Sequence, residues 1–238
     1  MENDCLQADG LGPVRYKDTK RGTHILHDFH YAIFDMDGTL IDSMKYWKNL
    51  GRDFLIANGC TVPEDMSATL QALSTREGAD YFSRELGVNK SGTEILDELH
   101  KTMIRNYREK VECKKNAKEY VESLHGRGVK MCIATATPFH MATIPLRKLG
   151  LLPYFSFILD TEEAGISKAS PEVYDLAAKR LGAEKDDVVI FEDAAYALQT
   201  AHAAGYYTVA LEDADAGMTE EEIRQICDEY WTEFPSVP

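Results

Sequence analysis

The chain has 238 residues, enough for one large domain or two small ones, and 44% of them are apolar, so a sizeable core can be buried. The formal net charge of -14 argues against nucleic acid or an anionic membrane as a partner, because both are bound by clustered cations. No stretch approaches the roughly 20 apolar residues that span a bilayer, and residues 1–9 lack the apolar segment of a secretory signal.

The first predicted element is an N-terminal extension over residues 1–29, where glycines and a proline interrupt the chain and no hydrophobic period is visible. Five short apolar runs after it predict buried strands. These runs are Tyr31–Phe34, Val129–Ala134, Phe155–Leu159, Val188–Phe191 and Tyr207–Leu211. Helical patterns separate the last four runs, which is typical of right-handed βαβ units. The pattern therefore predicts an α/β fold, with a Rossmann-like parallel sheet that carries helices on both faces.

The long segment between the first two predicted strands contains only helical patterns. Its two clearest apolar faces are formed by Met44, Trp47, Leu50 and Phe54, and by Leu96, Leu99, Met103 and Tyr107. We therefore predict an all-helical cap over residues 44–113, inserted into a catalytic core of residues 30–43 and 114–238. A cap in this place would lie over the carboxyl end of the first strand, the edge at which open α/β sheets bind ligands.

Carboxylate, hydroxyl and ammonium side chains follow four of the predicted strands. They are Asp35 and Asp37 after the first strand, Thr135 after the second, Lys168 soon after the third, and Glu192 and Asp193 after the fourth. Because parallel strands deliver their carboxyl ends to one edge, we expect these groups to meet. A phosphate monoester repels an anionic nucleophile, and Mg2+ held by carboxylates offsets that repulsion. The set therefore indicates Mg2+-dependent phosphoryl transfer.

Each member of the set has an expected role. Asp35 would attack phosphorus and form an aspartyl-phosphate. Asp37 would protonate the leaving oxygen and later activate water. Lys168 would balance the carboxylates and bind the transferring group, while Thr135 and a nearby backbone N–H, that of Ala136, would hold its equatorial oxygens.

The same residues carry a resemblance to a known family. The series Asp35-Met36-Asp37-Gly38-Thr39-Leu40, Thr135, Lys168 and Glu192-Asp193 resembles the four motifs of the haloacid dehalogenase superfamily. It is most similar to the phosphatases and beta-phosphoglucomutase-like members that have a helical cap, and the resemblance covers roughly residues 30–212. It implies that the side chains of Asp35 and Asp193 and the carbonyl of Asp37 hold Mg2+, with Glu192 as a ligand or linked through water. It also implies that Arg76, in the cap, contacts the distal end of the substrate.

Two residues help to decide which reaction of this family the chain would catalyse. Asp37 favours phosphate chemistry over dehalogenation, because a halide leaving group needs no proton. Trp47 occupies the position at which the similar mutases have a histidine, which argues against mutase activity. We therefore predict a phosphatase that acts on a small phosphomonoester, such as a sugar phosphate. A phosphotransferase or beta-phosphoglucomutase-like mutase remains an alternative. So does a non-catalytic phosphometabolite-binding protein, because Ala194 and Ala197 stand where the similar proteins usually have a serine and a glycine.

Several residues have simpler interpretations. Thr137 could offer the same hydroxyl as Thr135, but Thr135 is preferred because it directly follows the apolar run. His24, His27 and His30 recur at a period of three, which we interpret as a solvated arm rather than a metal site. The aromatic residues Trp47, Tyr81 and Phe82 are expected in the core of the cap, and lining of the substrate pocket is the second interpretation.

The remaining expectations concern the setting of the protein. The five cysteines are scattered and show no paired spacing, which suits a reducing cytosol, so we expect a cytoplasmic protein. The expected partner is a small phosphorylated metabolite, with no nucleic acid and no membrane. A monomer is expected, and an oligomer stays open.

Overall fold

The computed structural model describes residues 29–71, 73–213 and 218–237, so nearly all of the predicted N-terminal extension, including His24 and His27, lies outside the described residues. Its strands are β1 (Tyr31–Phe34), β2 (Lys130–Thr135), β3 (Phe155–Asp160), β4 (Val188–Glu192), β5 (Tyr207–Leu211) and β6 (Glu229–Trp231). They form one six-stranded sheet in the order β3-β2-β1-β4-β5-β6. All five neighbouring pairs are parallel. The predicted α/β fold with a Rossmann-like parallel sheet is confirmed.

The described helices are α1 (Met44–Ala57), α2 (Met66–Gln71), α3 (Thr75–Glu85), α4 (Gly92–Glu109), α5 (Ala117–Gly126), α6 (Phe139–Lys148), α7 (Thr161–Ala164), α8 (Glu172–Leu181), α9 (Ala195–Ala203) and α10 (Glu220–Ile223). Three of them begin with a capping box, in which Ser74, Ser91 and Thr219 each exchange hydrogen bonds with the glutamate three residues later. None of the helices in the described residues is both long enough and apolar enough to cross a bilayer.

Helices pack on both faces of the sheet. Along β1 the side chains alternate, so that Phe34 joins one buried cluster and Ile33 another. The Phe34 cluster includes Tyr120 of α5 and Leu146 of α6, whereas the Ile33 cluster includes Val173 of α8. Both sides of β1 are therefore covered, which explains why its sequence is a continuous apolar run.

Every predicted strand is observed within one residue of its expected ends, but β6 was missed. Its three residues, Glu-Tyr-Trp, are too few and too polar to stand out as an apolar run. β6 pairs in parallel with β5, and directly before β6 the Asp228 carboxylate accepts from the backbone N–H of Thr208 at 2.9 Å. Such a contact between distant residues has no local sequence pattern.

The chain between β1 and α5 forms a helical insertion, which we define as residues 44–109. The described residues of this insertion contain α1 to α4 and no strand. The segments that enter and leave it hydrogen bond to each other: the N–H of Asp42 donates to the Glu112 carbonyl at 3.0 Å, and that of Lys114 donates to the Leu40 carbonyl at 2.9 Å. Both ends of the insertion are thus held together beside the carboxyl end of β1.

Candidate active site

Asp35, at the end of β1, lies close to Asp193, at the end of β4, and a tight turn follows it. The backbone N–H of Asp35 donates to the carbonyl of Phe191 at 2.9 Å, which ties the end of β1 to β4. Gly38 follows with a φ of +87°, a conformation that side chains with a Cβ rarely adopt. A Cβ at Gly38 would lie 2.1 Å from Oδ2 of Asp193. Glycine is therefore required here both by the backbone and by the approach of Asp193.

Lys168 joins two carboxylates from different strands. Its side chain is 3% exposed, and its Nζ donates to Oδ1 of Asp35 and, at 2.8 Å, to Oε2 of Glu192. Burial opposes the charge on the amine, but the two carboxylates outweigh it and hold the pKa of Lys168 well above its usual value. Lys168 is therefore a fixed positive charge at the centre of the site.

Three buried carboxylates in this site could hold a metal ion. Ligand atoms of Asp35, Glu192 and Asp193 all lie within 4.8 Å of one another. Oδ2 of Asp35 is buried and has no hydrogen-bond partner among the described residues. A buried carboxylate oxygen without a partner is costly unless a cation or donor reaches it. One lysine does not neutralise three carboxylates, so the donor set fits a divalent cation with hard oxygen ligands.

Burial and the crowding of negative charge also raise the pKa values of two of these carboxyls. Burial, followed by the charge of Asp35, raises the pKa of Glu192 to about 7. Burial and the charges of Asp35 and Glu192 raise the pKa of Asp193 well above its usual value. Without a cation, therefore, these two carboxyls take up a proton at a higher pH than ordinary carboxyls do.

Asp193 is supported by Thr39, whose Oγ1 donates to Oδ1 of Asp193 at 2.9 Å. This contact bears on the two departures from the family pattern. Ala194 has no hydroxyl to offer, and its N–H donates to Oε1 of Glu192 at 3.3 Å. Ala197 is fully buried on α9, where its carbonyl accepts from the hydroxyl of Tyr174 at 3.4 Å. Neither alanine removes the hydrogen bond from Thr39, so Asp193 keeps a side-chain donor.

Asp37 is surrounded by three hydroxyl groups. Ser43 donates to Oδ1 at 2.6 Å, Tyr107 donates to the same oxygen at 2.7 Å, and Thr137 donates to Oδ2 at 2.7 Å. Burial raises the pKa of the Asp37 carboxyl, although these three hydrogen bonds oppose the rise. A carboxyl group with such partners is well oriented and can exist in both protonation states, as an acid–base catalyst must.

The remaining residues that the sequence predicted for the site are Thr135, Ala136 and Arg76. Thr135 is buried as the last residue of β2, and its Oγ1 accepts from the N–H of Thr137 at 3.1 Å. Ala136, between them, is exposed. Thr137, which the sequence pattern ranked second, is the threonine whose hydroxyl contacts Asp37. Arg76 is exposed near the start of α3 and makes no hydrogen bond or ion pair with the carboxylates named above.

Four side chains of the site were given no contact with a site carboxyl from the sequence, although Trp47 was named as the residue in place of the mutase histidine. Thr39 belongs to the first motif but had no assigned role, and Ser43 was noted only as part of the segment that opens the insertion. Tyr107 and Trp47 were interpreted as apolar positions of helices, yet Nε1 of Trp47 donates to the Tyr107 hydroxyl at 3.1 Å. A tyrosine on an apolar helix face gives no sign that its hydroxyl meets a carboxylate 70 positions away.

Residues 32–211 match the model of the haloacid dehalogenase-like hydrolase family. The chain belongs to this family. A phosphorylated carbohydrates phosphatase of Thermotoga maritima is 28% identical over 174 residues, which are 73% of this chain and 81% of the relative. The fructose-1-phosphate phosphatase YqaB of Escherichia coli is 28% identical over 182 residues, which are 73% of this chain and 91% of the relative.

Solved structures agree with the fold. CbbY from Rhodobacter sphaeroides, in complex with phosphate, superposes with a TM-score of 0.72 at 18% identity, covering 86% of this chain and 94% of CbbY. The two phosphatases and the family match identify the chain as a haloacid dehalogenase-like enzyme of the phosphoric monoester hydrolase class.

Proposed function

We propose that this haloacid dehalogenase-like enzyme is a Mg2+-dependent phosphatase that hydrolyses a small phosphomonoester through an aspartyl-phosphate on Asp35. The observation that carries the proposal is the state of the Asp35 carboxylate: one oxygen is held by Lys168, and the other is buried without a partner among the described residues. Such a group is oriented, dehydrated and in need of a cation, which suits a nucleophile that works beside a metal ion.

The residues that would hold Mg2+ are the side chains of Asp35 and Asp193 and the backbone carbonyl of Asp37, with Glu192 as a ligand or linked through water. Oxygen donors of this kind are the ones that Mg2+ prefers. When bound, the ion offsets the charge of the phosphomonoester and orients its oxygens. The partnerless oxygen of Asp35 and the raised carboxyl pKa values at Glu192 and Asp193 support a cation here.

Asp35 and Asp37 divide the covalent work between them. In the first half-reaction Asp35 attacks phosphorus, the bond from phosphorus to the ester oxygen breaks, and Asp37 gives that oxygen its proton. In the second half-reaction Asp37 takes a proton from water, the resulting hydroxide attacks phosphorus, and the bond to Asp35 breaks. Inorganic phosphate leaves, and both carboxyls return to their starting states.

Lys168, Thr135 and the backbone N–H of Ala136 would bind the phosphoryl oxygens during transfer. Lys168 is suited to this because its charge is fixed by two carboxylates. Thr135 and Ala136 lie at the carboxyl end of β2, next to β1 in the sheet. This position supports a role on the same phosphoryl group.

We propose that the helical insertion acts as a cap over this edge and that its Arg76 contacts the distal part of the substrate. The similar proteins support a sugar-phosphate class of substrate: the two relatives are named for phosphorylated carbohydrates and fructose-1-phosphate, and another structure of CbbY contains a xylulose bisphosphate. Trp47, in place of the mutase histidine, favours transfer of the phosphoryl group to water over its return to a sugar.

Phosphate release from a panel of sugar phosphates, polyol phosphates and p-nitrophenyl phosphate tests the proposal. We expect release with Mg2+, loss of release in excess EDTA, and no turnover by the Asp35→Asn variant. Release by Asp35→Asn at the wild-type rate would overturn the mechanism. Interconversion of sugar phosphates without phosphate release would favour the mutase, and tight binding of a panel member without turnover would favour a binding protein.

A further inference from the structure

A hydrogen-bond chain from the helical insertion ends on Asp37. Nε1 of Trp47, on α1, donates to the hydroxyl of Tyr107, on α4, at 3.1 Å. That hydroxyl donates to Oδ1 of Asp37 at 2.7 Å. Tyr107 is fully buried, and Trp47 is half-buried. A buried tyrosine hydroxyl that touches the acid–base carboxyl, and that is itself held by a tryptophan, has no role in the function proposed above.

The direction of this chain is fixed by the chemistry of its groups. The indole N–H of Trp47 can only donate, so the Tyr107 oxygen must accept from it. The single hydroxyl proton of Tyr107 is then available for Oδ1 of Asp37. A phenol has an ordinary pKa of about 10, so Tyr107 keeps this proton at neutral pH. Oδ1 is therefore a committed acceptor.

The other oxygen of Asp37 has a different partner. Oδ2 contacts the hydroxyl of Thr137 at 2.7 Å, and a threonine hydroxyl can turn to accept as readily as it donates. When Asp37 carries a proton, Oδ2 is thus the oxygen that can hold it without opposing a fixed donor. The two oxygens of this carboxyl group are therefore unequal: Tyr107 of the insertion and Ser43 contact Oδ1, whereas Thr137 contacts Oδ2.

We propose that Tyr107 and Trp47 are positioning residues that turn Oδ2 of Asp37 toward the leaving oxygen of the substrate. The inference rests on the proposed function, because it assigns a task to the acid–base step. Tyr107 acts on Asp37 directly, and Trp47 acts through Tyr107. Neither residue is required to touch the substrate, so their effect is specific to the step in which Asp37 gives its proton.

A positioning role for Tyr107 and Trp47 affects substrates with different leaving groups unequally, whereas a purely structural role would not. An alkoxide leaves phosphorus poorly without a proton, whereas p-nitrophenolate is a stable anion and leaves without one. The ratio kcat/KM reports only the steps up to transfer to Asp35, so it isolates the acid step from hydrolysis of the aspartyl-phosphate, which is common to all substrates. Loss of positioning therefore lowers kcat/KM for alkyl phosphates selectively.

The experiment compares Tyr107→Phe with wild type on glycerol phosphate or another alkyl phosphate that the wild type hydrolyses, and on p-nitrophenyl phosphate. General acid catalysis contributes about 100- to 10,000-fold, so we expect kcat/KM for the alkyl phosphate to fall at least about 10-fold. For p-nitrophenyl phosphate we expect a change within about twofold, since that leaving group needs no acid.

Two further variants complete the test. Tyr120→Phe is the matched control, because Tyr120 is also buried but its hydroxyl has no hydrogen-bond partner among the described residues. It should behave like wild type on both substrates. Trp47→Phe keeps an aromatic ring but removes the N–H, and it should show the same selectivity as Tyr107→Phe with a smaller effect. If Tyr107→Phe does not fold, the selectivity of Trp47→Phe decides the question.

The outcomes separate the inference from the function on which it rests. A selective loss on alkyl phosphates, absent in Tyr120→Phe, supports the positioning role. An active wild type whose Tyr107→Phe variant loses equally on both substrates, or on neither, overturns the positioning role and leaves the phosphatase intact. A wild-type protein that releases phosphate from no substrate overturns both.

Discussion

Thr39 donates from its Oγ1 to Oδ1 of Asp193 across 2.9 Å, although 154 positions separate the two residues. This hydrogen bond orients the carboxylate that we propose as a Mg2+ ligand. Partners of metal ligands typically change metal affinity by 10- to 100-fold when they are removed. Thr39 is fully buried, so the bond is shielded from water.

The first prediction concerns this bond. Thr39→Val keeps the shape of the side chain but removes the hydroxyl, so the Mg2+ concentration for half-maximal activity should rise at least about 10-fold. Thr39→Ser restores the hydroxyl and should return it close to the wild-type value. Activity titrated with Mg2+ measures both. An unchanged requirement in Thr39→Val would show that Thr39 does not support the ion.

The second prediction compares two glycines with the same backbone conformation. Gly38 and Gly128 have φ values of +87° and +82°, but a Cβ at Gly38 meets Asp193 at 2.1 Å, whereas a Cβ at Gly128 meets nothing within 4 Å. Gly128→Ala should cost only the backbone strain, about 1–2 kcal/mol, and keep activity. Gly38→Ala should lose both Mg2+ binding and turnover. Urea unfolding and phosphate release test the pair, and equal effects at both positions would contradict the packing argument.

Part of the fold and of the site could be predicted from the sequence, and part could not. Buried parallel strands are nearly continuous apolar runs, so β1 to β5 were predictable to within one residue. Asp35, Glu192 and Asp193 lie at the ends of those runs and Lys168 comes soon after β3, so the sequence could predict that they lie near one another, while their roles remain predictions. The partners of Asp37 did not follow: Ser43, Tyr107 and Thr137 come from three separate segments and meet only through tertiary packing. The division into cap and core, and the extension over residues 1–29, remain predictions.

A third prediction addresses the central cation. Removing one partner of a buried ion pair leaves an uncompensated charge and costs about 3–5 kcal/mol, so Lys168→Met should lower the free energy of unfolding by that order and abolish turnover. Lys179→Met is the matched control, because Lys179 is exposed on α8 and its loss should change stability by about 0.5 kcal/mol or less. Urea unfolding in EDTA measures both variants. Similar stability of the two would contradict the charge balance described for Asp35, Glu192 and Lys168.

A fourth prediction concerns pH in the absence of metal. A carboxyl whose pKa is raised in the folded state stabilises that state when protonated. Burial and the charge of Asp35 raise the pKa of Glu192 from 4.5 to about 7, so its stabilising contribution is complete below pH 4.5 and is lost as the pH rises through about 7. Glu192→Gln cannot ionise and should therefore flatten this part of the profile. The measurement is the free energy of unfolding in EDTA across the window, with the variant and wild type compared at each pH; parallel profiles would contradict the assignment.

The most direct test of the central claim is to trap the phosphoryl group on Asp35. Asp37→Asn can still release p-nitrophenolate, which needs no acid, but it lacks the base that activates water, so the covalent intermediate should accumulate. Rapid quenching should give a burst of one p-nitrophenolate for each active site, and mass spectrometry of the quenched protein should place the phosphoryl group on Asp35. Release without a burst, or a phosphoryl group on a different residue, would contradict the account.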